Sequence, residues 1–153
     1  MKALDLNPTY ITRSLGYLTG RAHRLVRDAV SEELQKRGYT IPPIQLPILG
    51  FTMLHHPRDI VQREFVDMMD IDRHRISRTV REMVDAGLLE ARQNPSSKRE
   101  NLVRITSKGQ GLFHIIAECA NDVLDRAFNG CSEQEKEITE NVLQKIIYNL
   151  SES

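Results

Sequence analysis

Between positions 73 and 81 the chain carries Arg73, His74, Arg75, Ser77, Arg78 and Arg81, and no acidic residue. A guanidinium presents its donors in a planar fork that fits either the two acceptors on a guanine edge or a phosphate, while a hydroxyl can serve both. An imidazole near a helix start can also reach a base edge. Stepping about 100° per residue from Ile76 places His74, Ser77, Arg78 and Arg81 on one sector, opposite an apolar stripe of Ile76, Thr79, Val80 and Met83. Arg73 and Arg75 flank that sector. A solvated helix face ordinarily mixes signs, and this one does not. A second basic pair, Lys98 and Arg99, lies in a polar stretch. Arginine on a narrow loop can enter a minor groove, where the negative potential is deepest.

The elements that must hold these groups can be read from periodicity. Asn7 and Pro8 suit a helix start, and Ile11, Leu15, Leu18, Ala22, Leu25 and Ala29 continue a helical stripe toward a stop at Gly38. The spacing predicts one long amphipathic helix. Pro42, Pro43 and Pro47 delay or bend the next helix, because proline donates no backbone hydrogen bond. Asp59 is expected to cap a short third helix with Ile60, Val61, Phe65 and Met69 inward. Asp70 supplies a turn, Asp72 caps the arginine-bearing helix, and Gly87 ends it.

After Gly87 the period changes. Leu88 to Gln93 and Leu102 to Ile105 read as strands, and residues 94–101 read as a long basic hairpin tip. Thr106 then caps a helix with Leu112, Ile116, Ala120, Val123 and Ala127 on one face. Ser132 and Glu135 form a capping box before a last helix carrying Ile138, Val142, Ile146 and Leu150. Helix, tight turn, helix, hairpin is the winged helix-turn-helix plan. The expected class is mainly α with a small β wing, as a single domain over 1–153. Within it, residues 40–108 form the winged helix-turn-helix, and helical segments 7–38 and 106–150 flank it.

Composition narrows the function classes. The 153 residues are 40% hydrophobic and 27% charged, enough for one core and unlike a disordered chain. No apolar run is long enough for a membrane helix, and the start lacks a signal-peptide core, so a cytoplasmic, non-membrane protein is expected. Net charge is zero, but Lys and Arg against Asp and Glu stand at 7 to 4 over residues 1–57, 11 to 9 over 58–108 and 3 to 8 over 109–153. An acidic end held away from a basic surface is compatible with nucleic-acid binding. Neither a phosphate loop nor a nucleophile elbow nor a spaced carboxylate set is present, so an enzyme is not expected, and no cofactor is implied. Cys119 and Cys131 lack paired spacing and are expected to be reduced thiols.

The segment Phe65-Val-Asp-Met-Met-Asp-Ile-Asp-Arg-His-Arg-Ile-Ser-Arg-Thr-Val-Arg-Glu-Met83, with Gly87-Leu-Leu-Glu-Ala-Arg92, Asn94-Pro-Ser-Ser-Lys-Arg99 and Leu102-Val-Arg-Ile-Thr-Ser-Lys-Gly109, resembles the MarR family. Asp72, Arg73, Arg78, Gly87, Pro95, Arg99, Thr106 and Gly109 stand at matching positions. Element order agrees from 7 to 150, and the motif is specific from 65 to 109. Asn94 and Ser97 replace the family's usual acids, Asp70 replaces a turn glycine, and the proline-rich approach to the second helix is unusual. The resemblance implies a homodimer built by the terminal helices, double-stranded DNA as partner, and a small aromatic or phenolic effector in a crevice for which Tyr17, Arg21, His23, Phe51 and His55 are candidates.

Rival readings are blander. Histidines and aromatics on such helices are usually packing or surface residues, and a zinc site from His23, His55, His56 and His114 is disfavoured because adjacent histidines do not share a helix face. Cys119 reads as inert packing, with Cys131 the more exposed thiol. A winged helix can also serve as a protein-docking platform, for which an apolar or mixed-sign outer face would be the sign.

Overall fold

The computed structural model describes residues 11–151. In chain order it contains α1 (Leu15–Lys36), α2 (Gln45–His55), β1 (Ile60–Val61), α3 (Gln62–Met69), α4 (Arg73–Asp85), β2 (Leu89–Asn94), β3 (Ser97–Ile105), α5 (Ser107–Ala127) and α6 (Glu133–Ser151). The expected mainly helical chain with a small β wing is what forms.

The proposed cap at Asn7 and Pro8 lies outside the described residues. Within them the first helix is not continuous, as it was expected to be. Ser14 adopts extended backbone (φ −67°, ψ 147°), its hydroxyl donates to the Ile11 carbonyl at 2.7 Å, and it accepts from the Tyr17 N–H. A short hydroxyl side chain that bonds its own backbone competes with the helix and here restarts it. The far end behaves as expected: Gly38 takes φ +85°, the Tyr39 N–H reaches the Leu34 carbonyl and the Gly38 N–H reaches that of Gln35. This pair of bonds closes the helix in a Schellman motif.

Pro47 does not delay α2. It is the third residue of the helix, inside the first turn, where a backbone donor would have no intrahelical acceptor. The helix begins after Pro42 and Pro43, and buries Ile48, Leu49 and Thr52.

A second correction concerns Asp59. Ile60 and Val61 do not open a helix; they form β1, paired antiparallel with β3 through Ile60↔Val103 and Val61↔Leu102. The helix starts at Gln62, with the Glu64 carboxylate accepting from the Val61 N–H at 2.8 Å. Burial decides it: Ile60, within the edge strand β1, is fully enclosed in the core, a position that β-branched residues fill well. The sheet order is β1-β3-β2.

One core is formed by α2, α3, α4 and the sheet, around Phe65, Ile48, Ile76, Met83 and Val103. A smaller one joins α1 to α5 through Val30, Leu34, Cys119 and Val123. Arg37 reinforces it, donating to Glu118 at 2.8 Å and Asp122 at 3.0 Å. Ala127, expected inward on α5, is exposed, and α6 has no buried residue at all. The capping box at its start forms as expected, Ser132 N–H to Glu135 and Glu135 N–H to Ser132 Oγ. Among the described residues no helix is long and apolar enough to cross a membrane.

Candidate nucleic-acid interface

Two local devices aim α4. Asp70 ends α3 in the left-handed region (φ +50°), which a short polar side chain tolerates, and so makes the tight turn. Asp72 then caps α4, its carboxylate accepting from the Arg75 N–H at 2.9 Å. Ile76, Thr79, Val80 and Met83 are buried as the spacing required, and the Thr79 hydroxyl is satisfied by the Arg75 carbonyl. With that side sealed, His74, Arg78 and Arg81 are left exposed opposite it, and Arg75 is exposed at the flank. Arg78 lies 3.9 Å from Glu82, both largely in solvent. An exposed pair at that distance holds the guanidinium only weakly.

Arg73 and Ser77 differ from their neighbours. The Arg73 guanidinium donates to the Arg99 carbonyl at 2.9 Å, tying the start of α4 to β3. Ser77 is partly buried, and its Oγ accepts from Gln62 Nε2 at 2.6 Å. Both border a cleft of about 510 Å³ between α3, α4 and β3, whose walls include Gln62, Arg63, Arg99 and Asn101. Gln62 was not a sequence candidate; nothing in periodicity marks a glutamine at the first position of a helix.

The wing differs from the sequence expectation. Residues 94–101 do not form a long tip. Pairing runs outward to Asn94↔Ser97, with an irregularity at Gln93/Asn94, so the loop is only Pro95 and Ser96. Asn94 Oδ1 accepts from the Ser96 N–H at 3.0 Å, a side-chain-closed turn with proline at the position that favours its φ. Lys98 and Arg99 therefore sit, exposed, on strand β3 beside the tip rather than on it. The polar run read as loop because its side chains are polar, but a solvent-facing ladder is held by backbone bonds.

Asp59, rather than capping a helix, accepts from Arg92 of β2 and, at 2.7 Å, from Arg104 of β3. It ties both wing strands to the residue before β1. The Arg92 hydrogen bond, opposed by desolvation and aided by Arg104, holds the Asp59 carboxyl below its ordinary value. At the base of the wing the Thr106 hydroxyl accepts from the Gly109 N–H and donates to the Gly87 carbonyl at 2.7 Å. A Cβ on Gly109 would meet the Leu88 carbonyl oxygen at 2.2 Å, so only glycine fits.

The effector candidates fall into two groups. Tyr17 and Arg21 meet on α1 at 3.4 Å, with His23 exposed nearby in sequence. Phe51 and His55 meet on α2 with their rings tilted by 45° and centroids 4.3 Å apart, and Phe51 packs edge-on against Phe65. No hydrogen bond or ring contact among the described residues joins the two groups. Cys119 is fully buried between α1 and α5, and Cys131 is exposed. Among the described residues no three His, Cys, Asp or Glu side chains converge as a metal ion requires.

Residues 39–100 match the sequence profile of the MarR family. That stretch is similar to the MarR family. A curated relative, the HTH-type transcriptional regulator MhqR of Bacillus subtilis, is 25% identical over 126 residues, covering 82% of this chain and 84% of its own. Among solved structures, a mutant MarR from E. coli complexed with operator DNA is similar over 92% of this chain and 99% of its own, with a TM-score of 0.76 and 20% identity. CouR from Rhodococcus jostii RHA1 bound to p-coumaroyl-CoA gives a TM-score of 0.73 at 23% identity, over 89% of this chain and 93% of its own. At those identities the structural likeness establishes the MarR fold.

Proposed function

We propose that this chain is a sequence-specific, double-stranded DNA-binding transcription regulator of the MarR family, acting as a homodimeric repressor on a pseudo-palindromic operator and released by a small-molecule effector. The observation that carries the reading is α4: Arg75, Arg78 and Arg81 stand exposed with His74 on a helix whose opposite side is sealed in the core. That is the surface a recognition helix offers a major groove. Lys98 and Arg99 on β3 supply the wing's contacts, and Arg73 and Ser77 border the cleft between the two. The operator complex of the related MarR structure supports the same use of the fold.

Dimer formation is supported by what one copy leaves uncovered. Leu18, Leu25, Ile147 and Leu150 are each more than half exposed, on helices at the two ends of the chain. Those ends also differ in charge, basic over residues 1–57 and acidic over 109–153. A two-fold pair would present two copies of α4 about one DNA turn apart, hence a pseudo-palindrome. In this reading Tyr17, Arg21, His23, Phe51 and His55 line the effector crevice, a small aromatic or phenolic compound is the ligand class, and binding shifts the population toward a spacing that no longer fits DNA. CouR, with its bound p-coumaroyl-CoA, supports an aromatic ligand for this fold.

The test is a mobility shift with duplex DNA from upstream of the chain's own gene at two salt concentrations. Wild type should bind more tightly at low salt, and Arg78→Ala should weaken it. Failure to bind any duplex at low salt would instead favour a protein-docking role.

A further inference from the structure

Most serine and threonine hydroxyls within the helices of the described residues follow one habit. Thr19, Ser31, Thr52, Thr79, Thr139 and Ser151 each donate to the carbonyl four residues back, at 2.7 to 3.0 Å. This back-bonding uses the hydroxyl proton and leaves the side chain nothing to donate to a ligand. Ser77, a full turn inside α4, does not follow it. Its oxygen accepts from Gln62 Nε2 at 2.6 Å, and its own proton is given to no acceptor among the described residues.

A hydroxyl has one proton and two lone pairs, so an accepted bond leaves the O–H free and polarises it toward a stronger donor. Gln62 is held in turn at the first position of α3, whose start is fixed by Glu64 on the Val61 N–H. Both side chains open onto the cleft bordered by Arg73 and Arg99, on the same side of the molecule as the wing.

We infer that Gln62 and Ser77 act as a unit in which the Gln62 amide presets the Ser77 hydroxyl as a hydrogen-bond donor toward an acceptor atom of the bound duplex. Gln62 is thus a positioning residue and Ser77 a directed donor. Its O–H donates to a purine N7, a guanine or thymine carbonyl or a phosphate oxygen, each of which is an acceptor. The inference rests on the DNA-binding reading above and adds to it the polarity of one contact.

The experiment uses full-length wild type to select duplexes from a random-sequence pool. The selected duplex is then rebuilt with each half-site base pair exchanged, and separately with a neutral methylphosphonate at each phosphate. Ser77→Ala should bind the unmodified duplex about three- to tenfold more weakly, the size of one hydrogen bond. It should also become indifferent to modification at one position to which wild type responds: a base pair if the acceptor is a base edge, a phosphate if it is the backbone. Gln62→Met, similar in length but without the amide, should show a smaller loss and blindness at the same position. A uniform loss in Ser77→Ala across all duplexes, or a Gln62→Met profile identical to wild type, would overturn the inference. If Arg81→Ala still loses affinity in that case, the DNA-binding reading stands without it. A wild-type chain that enriches no sequence removes both.

Discussion

The winged region and the terminal helices solve the same problem of covering apolar surface in opposite ways. Phe65, Ile76 and Met83 are fully enclosed within a single copy, whereas Ile147 and Leu150 on α6 are 64% and 74% exposed. Both sets recur at helical spacing, so periodicity alone cannot separate them. What separates them is the presence of a facing layer. The winged region has the sheet and α2 to pack against, while α6 stands off the body with no residue buried. One copy thus seals the apolar face of the winged region and leaves that of α6 in solvent, the face that a second copy would cover in the proposed dimer.

The sharpest way to break this contrast is truncation on each side of it. Phe65→Ala should cost about 3–5 kcal/mol of unfolding free energy by chemical denaturation, whatever the protein concentration. Ile147→Asp should forfeit about 1.5–3 kcal/mol per copy, the burial worth of one such side chain, and only in the associated form. Sedimentation should then show a smaller species whose melting no longer depends on concentration. An Ile147→Asp chain that keeps both size and melting would place the arms on the same footing as the head.

Gly109→Ala probes the joint between the two regions. Its Cβ would collide with the Leu88 backbone oxygen, so a loss of about 1–3 kcal/mol is expected despite the better helix propensity of alanine. The smallest effect is at the wing. Because the Asp59 carboxyl is held below its ordinary value near 3.8, its contribution is present above that value and disappears as pH falls through the lower folded value. Asp59→Asn should remove that part of the acid limb of stability, seen as a wild-type minus variant difference that shrinks toward low pH. A difference that grows on acidification would contradict the clamp.

Much of the reading head was legible because its signals are local. Asp70 and Asp72 mark a turn and a cap, and Ile76, Thr79, Val80 and Met83 mark a face; all behave as their chemistry requires. The failures are where a partner distant in sequence decided the outcome. Asp59 looked like a cap because nothing near it shows Arg92 and Arg104, 33 and 45 residues away, that claim its carboxylate. Residues 94–101 looked like a loop because strand pairing is a backbone property that polar side chains conceal. Gln62 was invisible for the same reason, since its role exists only through Ser77, 15 positions on. Ser14 breaks the first helix with a hydroxyl that periodicity does not weigh.

The central claim is that the exposed arginines of α4 face duplex DNA. Its most direct test is the affinity of the wild type, Arg78→Ala, Arg81→Ala and Arg99→Ala for one selected duplex, each titrated across a range of salt. The account predicts losses of about 1–3 kcal/mol for the two α4 variants where they read bases, a smaller loss for Arg99→Ala, and a salt slope lower by about one for any variant that gives up a phosphate contact. Four proteins with superimposable affinity and slope would contradict it.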